Sequence, residues 1–338
     1  MQRKSSTRAT ILDVAARAQT STATVSRVIN GTGYVSNDLR ERILAAAREL
    51  GYTPNAVARS LKMRQTFTIG VIISDIANPF FAAVVRGIED TLIRHRYHPL
   101  LCNTDRDPEK ESLYIRLLRE KRVDGLIISA ASGQGAHLEV LREVGVPWVF
   151  LNRRPEDFGG PAILTDNLAG AYQGTALLVD RGHTRIAVVA GPQNVNTGAD
   201  RLEGYREALR DRGIPERPEY IAFGDFRAEG GYDATRTLLS LPDRPTALFV
   251  QNNQMTIGAL RAIREAGVQI PKDMALLAFD ETEWASIVDP PLTTIAQPAY
   301  EMGKAAASTL LSAIRKSGPG TSRDVYLPPR LVVRASTG

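Results

Sequence analysis

The 338-residue sequence predicts a small all-α headpiece carrying a helix-turn-helix, followed by an α/β core of two doubly wound parallel-sheet lobes. Three observations predict it. Apolar residues in the first fifty positions recur with the spacing of short amphipathic helices, whereas from Thr68 onward β-branched runs alternate with helical patterns. Charge is segregated as well: residues 1–64 hold eleven Lys or Arg against four acids, a balance of +7, while the whole chain carries +5, leaving −2 for residues 65–338. A basic first fifth on a near-neutral remainder is expected of a chain that meets a polyanion through that part alone.

In the headpiece, Ile11, Leu12, Val14, Ala15 and Ala18 form the apolar face of a first helix over about residues 11–18, with Thr10 as N-cap and Asp13 three residues on. The turn Gln19-Thr20-Ser21 supplies a second cap. Val25, Val28 and Ile29 then repeat at i, i+3, i+4, leaving Thr22, Ala23, Ser26 and Arg27 on the outer face before Asn30-Gly31 stops the helix. A helix pair of this kind is usually only a packed hairpin. Hydroxyls and a guanidinium at the start of the second helix add the chemistry that reads base edges and phosphates in a major groove. A third helix runs from Ser36 as cap to Leu50, with Gly51 as its stop.

The stretches Asp13-Val-Ala, Thr24-Val-Ser-Arg27-Val-Ile-Asn30, Val35-Ser36, Leu50-Gly-Tyr and Pro54-Asn55-Ala-Val-Ala-Arg-Ser-Leu61-Lys62 together resemble the headpiece of the lactose-repressor family of bacterial transcription regulators. Gln19 stands where many members carry Gly, and positive φ there would cost a non-Gly residue on the order of 1 kcal/mol. The resemblance implies DNA contacts by Thr10, Thr20, Ser21, Thr22, Ala23, Thr24, Ser26, Arg27 and Asn30. It also implies a hinge over 54–65, helical only on operator DNA and paired with its dimer mate, in which Asn55, Ala58, Arg59, Leu61 and Lys62 meet DNA and Leu61 wedges the minor groove. The residues themselves give two turns of helix formers, too few for stable isolated helicity, so this segment is conditional structure; a linker whose Leu packs on the core is the plainer alternative.

In the core, strands are expected at 69–73, 99–102, 125–128, 147–151, 186–190, 247–250 and 275–279, with helices at 80–94, 109–121, 168–181, 201–211, 229–241, 254–266 and 300–317. Apolar strands alternating with helices mean parallel sheets covered on both faces. The length suits two lobes, the first about 66–164 and 294–324, the second about 165–293 and 325–338. Residues 1–53 are the headpiece, 54–65 the hinge and 66–338 the core. This crossing plan resembles periplasmic sugar-binding proteins, in which ligands sit in the cleft between lobes at the carboxyl ends of strands.

The loops after strands therefore hold the candidate ligand contacts. Asn78-Pro79-Phe80-Phe81 could be a turn and a helix start, or an aromatic wall for a sugar ring. Arg153 is a ligand contact or a surface ion-pair partner. Asp166 follows the crossover, and Thr197 and Arg201 precede a helix in a pattern where family members use the matching Arg as a bidentate clamp. Phe226, Asn252 and Asp280 complete the set, with Trp284 as core or, preferably, a platform at the cleft mouth. Guanidinium, amide and carboxylate together serve a polyol. Thr197, Arg201, Phe226 and Asp280 also match relatives that respond to purines; Asn252, where those carry Gly, favours a sugar or sugar derivative.

An enzyme is not expected. The chain lacks His-Glu-x-x-His, Gly-x-x-x-x-Gly-Lys and Gly-x-Ser-x-Gly, and its single Cys102 lies in an apolar run, so neither metal nor cofactor is expected, only a small-molecule effector. A secreted binding protein is disfavoured by the basic amino terminus without an apolar signal, and no stretch reads as a membrane span. The expectation is a cytoplasmic, homodimeric DNA-binding repressor of carbohydrate-utilisation genes, controlled allosterically by that effector, with a purine-responsive corepressor system as the alternative.

Overall fold

A computed structural model describes residues 9–53, 65–316 and 323–338. The hinge positions Asn55, Ala58, Arg59, Leu61 and Lys62 lie outside the described residues. The chain divides into two compact units, residues 1–66 and 67–338.

The first unit holds α1 (Ile11–Arg17), α2 (Thr22–Asn30) and α3 (Asn37–Glu49). A capping box starts α1, Thr10 and Asp13 each bonding the other's backbone N–H. Gln19 does take φ 49°, closing the turn into α2, where the Ser21 hydroxyl accepts from Thr24 N. Val14, Ala15, Ala18, Val25, Val28, Val35, Ile43 and Ala46 form the core. Two expectations fail here. Leu12 is 67% exposed, because positions 11, 14, 15 and 18 already fill the inward stripe. Ser36 precedes α3 without a side-chain cap bond.

The second unit holds two six-stranded sheets. One has the strand order 325–327, 162–165, 148–151, 125–128, 68–73, 98–103 and the other 330–332, 293–296, 275–279, 247–250, 186–190, 221–223; every pairing is parallel except 293–296 with 330–332. The first lobe contains β1 (Thr68–Ile73), α4 (Pro79–Arg94), β2 (His98–Asn103), α5 (Pro108–Glu120), β3 (Gly125–Ile128), α6 (Val140–Val144), β4 (Trp148–Leu151) and β5 (Ala162–Thr165). The second contains α7 (Asn167–Asp180), β6 (Ile186–Ala190), α8 (Asn196–Asp211), β7 (Ile221–Phe223), α9 (Ala228–Leu239), β8 (Ala247–Val250), α10 (Asn253–Glu265), β9 (Ala275–Phe279) and β10 (Thr293–Ala296). The chain then returns through α11 (Ala299–Lys316) and β11 (Val325–Leu327) to the first lobe, and ends in the second with β12 (Arg330–Val332).

The lobe limits need correction. β10 pairs with β9, so residues 294–296 belong to the second sheet, and the crossing comes only at Gln297-Pro298. β11 pairs with β5, which places 325–327 in the first sheet. Three crossings thus link the lobes, at 166, 297–298 and 328–329. β2 is also not covered on both faces: it is an edge strand, and Leu100 and Leu101 are exposed. Finally, α8 begins at Asn196, so Thr197 and Arg201 are helical; burial of Thr197, Gly198 and Arg201 overrides the weak helix propensity of Thr-Gly-Ala-Asp.

Each sheet is sandwiched between two apolar clusters built on Ile, Val, Leu and Phe. Burying one such side chain is worth ~1.5–3 kcal/mol. The eight-residue headpiece cluster, three of its members alanine, has far less to draw on.

Candidate functional site

The loops at the carboxyl ends of the strands converge on a cleft between the two lobes of the second unit, whose walls lie close together around a cavity of about 20 Å³. Asn78 caps α4, its Oδ1 accepting from Phe80 N (2.9 Å) and, from the other lobe, from Asn253 Nδ2 (2.8 Å). Pro79 at the first helical position fixes the approach, so the Phe80 and Phe81 rings, edge to face at 5.1 Å, join the lobe core while lining the cleft. After β8, Asn252 caps α10 by accepting from Met255 N (2.8 Å).

Three wall residues sit in the left-handed region: Asn152 (φ 62°), Phe226 (φ 63°) and Asp280 (φ 79°). Such backbone costs of order 1–3 kcal/mol for a bulky residue and concentrates at ligand sites. Phe226 packs on Gly191, where an added Cβ would lie 2.3 Å from the ring, and its carbonyl accepts from Arg106 Nη2 of the first lobe.

Charge in the cleft is unusual. Arg153 and Arg201 are 7% and 3% exposed. Arg201 donates from Nε to Asn167 Oδ1 (2.8 Å) and from Nη1 to the Gln251 carbonyl (2.6 Å), and its guanidinium lies 3.6 Å over the Phe279 ring. Burial pulls it down to about 10, with Asp280 and Asp200 opposing. Two of its five N–H donors are thus engaged, and no protein partner among the described residues takes Nη2 or the second Nη1 hydrogen, the pair a bidentate clamp uses. Arg153 donates from Nε to Thr197 Oγ1 (3.2 Å) and lies 5.0 Å over Phe226. Burial, reinforced by Arg106 and Arg201, lowers it to about 9. Asp280 accepts from Gln297 Nε2 (2.6 Å) and Asn253 N (3.2 Å).

Of the candidate ligand contacts, Asn78, Phe80, Phe81, Arg153, Thr197, Arg201, Phe226, Asn252 and Asp280 line the cleft. Asp166 does not; its carboxylate caps α7 by accepting from Ala169 N. Trp284 does not either. In the short 3-10 helix Glu283–Ser286 it packs on the second-lobe cluster, so the core alternative holds over the platform. Asn152 and Gln297 were missed. Both are polar residues directly after an apolar strand, the signal that singled out their neighbours. Among the described residues no group of three or more His, Cys, Asp or Glu could hold a metal ion, and no helix is long and apolar enough to cross a membrane.

In the separate headpiece, Val25 and Val28 bury one side of α2. The Thr10 hydroxyl is committed to Asp13, the Ser21 and Thr24 hydroxyls lie 2.9 Å apart, and Asn30 Nδ2 donates to Ser26 Oγ. Among the described residues no side-chain bond engages Thr20, Thr22 or Arg27; Arg27 and the Ala23 methyl are exposed. Tyr34, 93% exposed just beyond α2, is a further candidate for a nucleic-acid contact, signalled by an aromatic in a Gly-rich turn beside a cationic helix.

Residues 10–55 match the bacterial regulatory proteins of the lacI family, and residues 175–337 a periplasmic binding protein-like domain. The chain is 40% identical to the ribose operon repressor of Escherichia coli (strain K12) over 329 residues, covering 97% of this chain and 99% of that one. The chain belongs to the lacI family of bacterial regulatory proteins. Among solved structures of the family, the lac repressor dimer bound to operator and the anti-inducer ONPF superposes with a TM-score of 0.87 at 32% identity, over 97% of this chain and 99% of that one. A lacI-family regulator from Enterococcus faecium with bound ribose gives 0.71 at 33% identity, over 80% and 98%. No enzyme is among these relatives.

Proposed function

We propose that this lacI-family regulator is a homodimeric repressor in the cytoplasm that binds operator DNA through α2 and the hinge, and whose operator affinity is set by a small sugar or sugar derivative in the cleft. The observation that carries this is the cleft itself: walls from both lobes present a carboxylate, amides and guanidinia beside three phenylalanine rings, the mixed donors and acceptors and stacking faces a polyol needs. The ribose named for two relatives supports that class, and the lac repressor's operator-bound dimer supports the assembly.

Binding on both walls draws the lobes together, so ligand and operator are coupled through the relative setting of the lobes. The test is operator binding by fluorescence anisotropy with and without a monosaccharide panel. Asp280→Ala should abolish the response while leaving ligand-free operator affinity intact; a retained response removes the cleft from the mechanism.

A further inference from the structure

We propose that the effector carries a negative charge: a monosaccharide bearing a carboxylate or phosphate, its anionic group seated between Arg153 and the amino end of α8. This rests on the sugar-cleft reading above and specifies its ligand.

The carboxylates that act on Arg153, Asp75 and Glu111, are bonded to other groups. Arg106 is bound to Asp75 at 2.6 Å. Glu111, fully buried, contacts His137 Nε2 at 2.5 Å and accepts from Ala131 N. Arg201 has no carboxylate in ion-pair contact among the described residues, but Asp280 and Asp200 oppose the effect of its burial and two of its N–H groups are bonded to protein. Arg153 is left without a carboxylate in ion-pair contact, and only its Nε finds a protein hydrogen bond among the described residues. A guanidinium more than nine-tenths buried, with two nitrogens unspent beside the cavity, is costly unless something supplies the counter-charge. The ligand is what the cavity admits.

The neighbouring elements point the same way. Next to Arg153 in the chain, Asn152 puts a neutral amide on the wall, its buried Oδ1 unpartnered. The lining therefore carries two cations and one anion. Thr197, which Arg153 touches, lies in the first turn of the sixteen-residue α8. That helix has no side-chain cap, unlike α4 and α10, which Asn78 and Asn252 cap; none of the three has an acid in its first turn, and Asp200 stands just past that of α8. Thr197 thus puts the first turn of that helix, its positive end, on the cleft wall beside the guanidinium.

Calorimetric titration of the full chain tests this with two series: D-ribose, D-ribonate and D-ribose 5-phosphate, and D-glucose, D-gluconate and D-glucose 6-phosphate. In one series an anionic member should bind at least about tenfold tighter than its neutral parent, and more weakly as salt rises. The acid and phosphate arms tell the two sources apart. Arg153→Gln should erase the preference. Asn152→Asp, nearly isosteric and tolerant of positive φ, adds the missing negative charge and should reverse it, which keeps the test decisive should Arg153→Gln fail to fold. A neutral sugar that binds at least as tightly as its acid and phosphate, and still moves the operator equilibrium, overturns the inference and leaves the proposed function standing. Silence from both series refutes the inference together with the sugar reading.

Discussion

Replacing Gly133 by alanine should hold the cleft open. Gly133, in the loop after β3, meets the second lobe so closely that a Cβ would lie 1.9 Å from the Asn194 carbonyl oxygen, whereas real Cβ atoms essentially never approach within 3.0 Å. Both sides of the contact are backbone, so relief requires separation of the loops by at least about 1.1 Å. Two bonds across the same edge, Arg153 Nε to Thr197 Oγ1 at 3.2 Å and Asn196 Nδ2 to the Asn152 carbonyl at 3.5 Å, would then stretch beyond hydrogen-bond range. Each is worth about 1 kcal/mol net. Losing both costs the closed cleft ~2 kcal/mol, and at 1.4 kcal/mol per factor of ten the effector should bind roughly thirtyfold more weakly. Calorimetric titration gives that number directly. Gly159→Ala, at a position with nothing within 4 Å, is the control and should leave affinity unchanged. Effector affinity within about twofold of wild type in Gly133→Ala would refute the reasoning, because the lobes would then not need this approach when ligand is bound.

Other consequences concern the headpiece and the second lobe. Thr10→Ala removes the capping box of α1, a loss of ~1 kcal/mol, and should speed exchange of the first-turn amides about fivefold without altering the cleft; unchanged exchange would show that the box contributes nothing. Exchanging Thr22 and Ala23 for other small residues should change which operator sequence is preferred while the unfolding temperature stays the same, readable by selection from a randomised DNA pool. Burial would raise Glu281, but bonds from Arg334 and Thr294 more than offset it, so its folded value lies below the ordinary 4.5. A depressed carboxylate stabilises the fold above its unfolded value and loses that contribution as pH falls through the folded one. The deficit of Glu281→Gln in unfolding temperature should accordingly shrink between about pH 7 and about pH 3; a constant deficit would mean the Arg334 pair is not what Glu281 contributes.

Much of this architecture was legible in the sequence because period and turn chemistry are local. The 3.6-residue spacing gave the headpiece helices, and β-branched runs gave β1, β3, β4, β6, β8 and β9 within a residue or two. Lobe membership was not, since it depends on which edge a strand finds: 293–296 and 325–327 are short segments, and the pairings of β10 on β9 and β11 on β5 place them. Among site residues, types known to hold ligands stood out, whereas Asn152 and Gln297 matter through where a strand stops. Trp284 and Asp166 fail for the opposite reason. A large aromatic and a carboxylate in cleft-side loops looked like ligand groups, yet a core surface and a helix amino end claimed them first.

Gln297 carries the coupling argument one step further. It donates from Nε2 to Asp280 Oδ1 on the cleft wall and accepts through Oε1 from Thr165 Oγ1 at the end of β5 (2.6 Å). Asp280 follows β9, Gln297 occupies the second crossing between the lobes, and Thr165 leads into the first. A ligand hydroxyl that takes a share of Asp280 therefore competes for the amide that ties two crossings together, and the amide can turn toward ligand only by loosening its hold on Thr165. Contact at the wall would thus reach the crossings between the lobes through a single side chain with one donor group and one acceptor. The coupling needs no longer path through the lobe cores, which are too densely packed to deform by degrees. Gln297→Glu separates the two ends of this relay: it keeps an acceptor for Thr165 and sets a carboxylate against Asp280. Effector affinity and the effector's influence on operator binding should fall together in this variant, whereas a loss of affinity with full coupling retained at saturating effector would confine Gln297 to the wall.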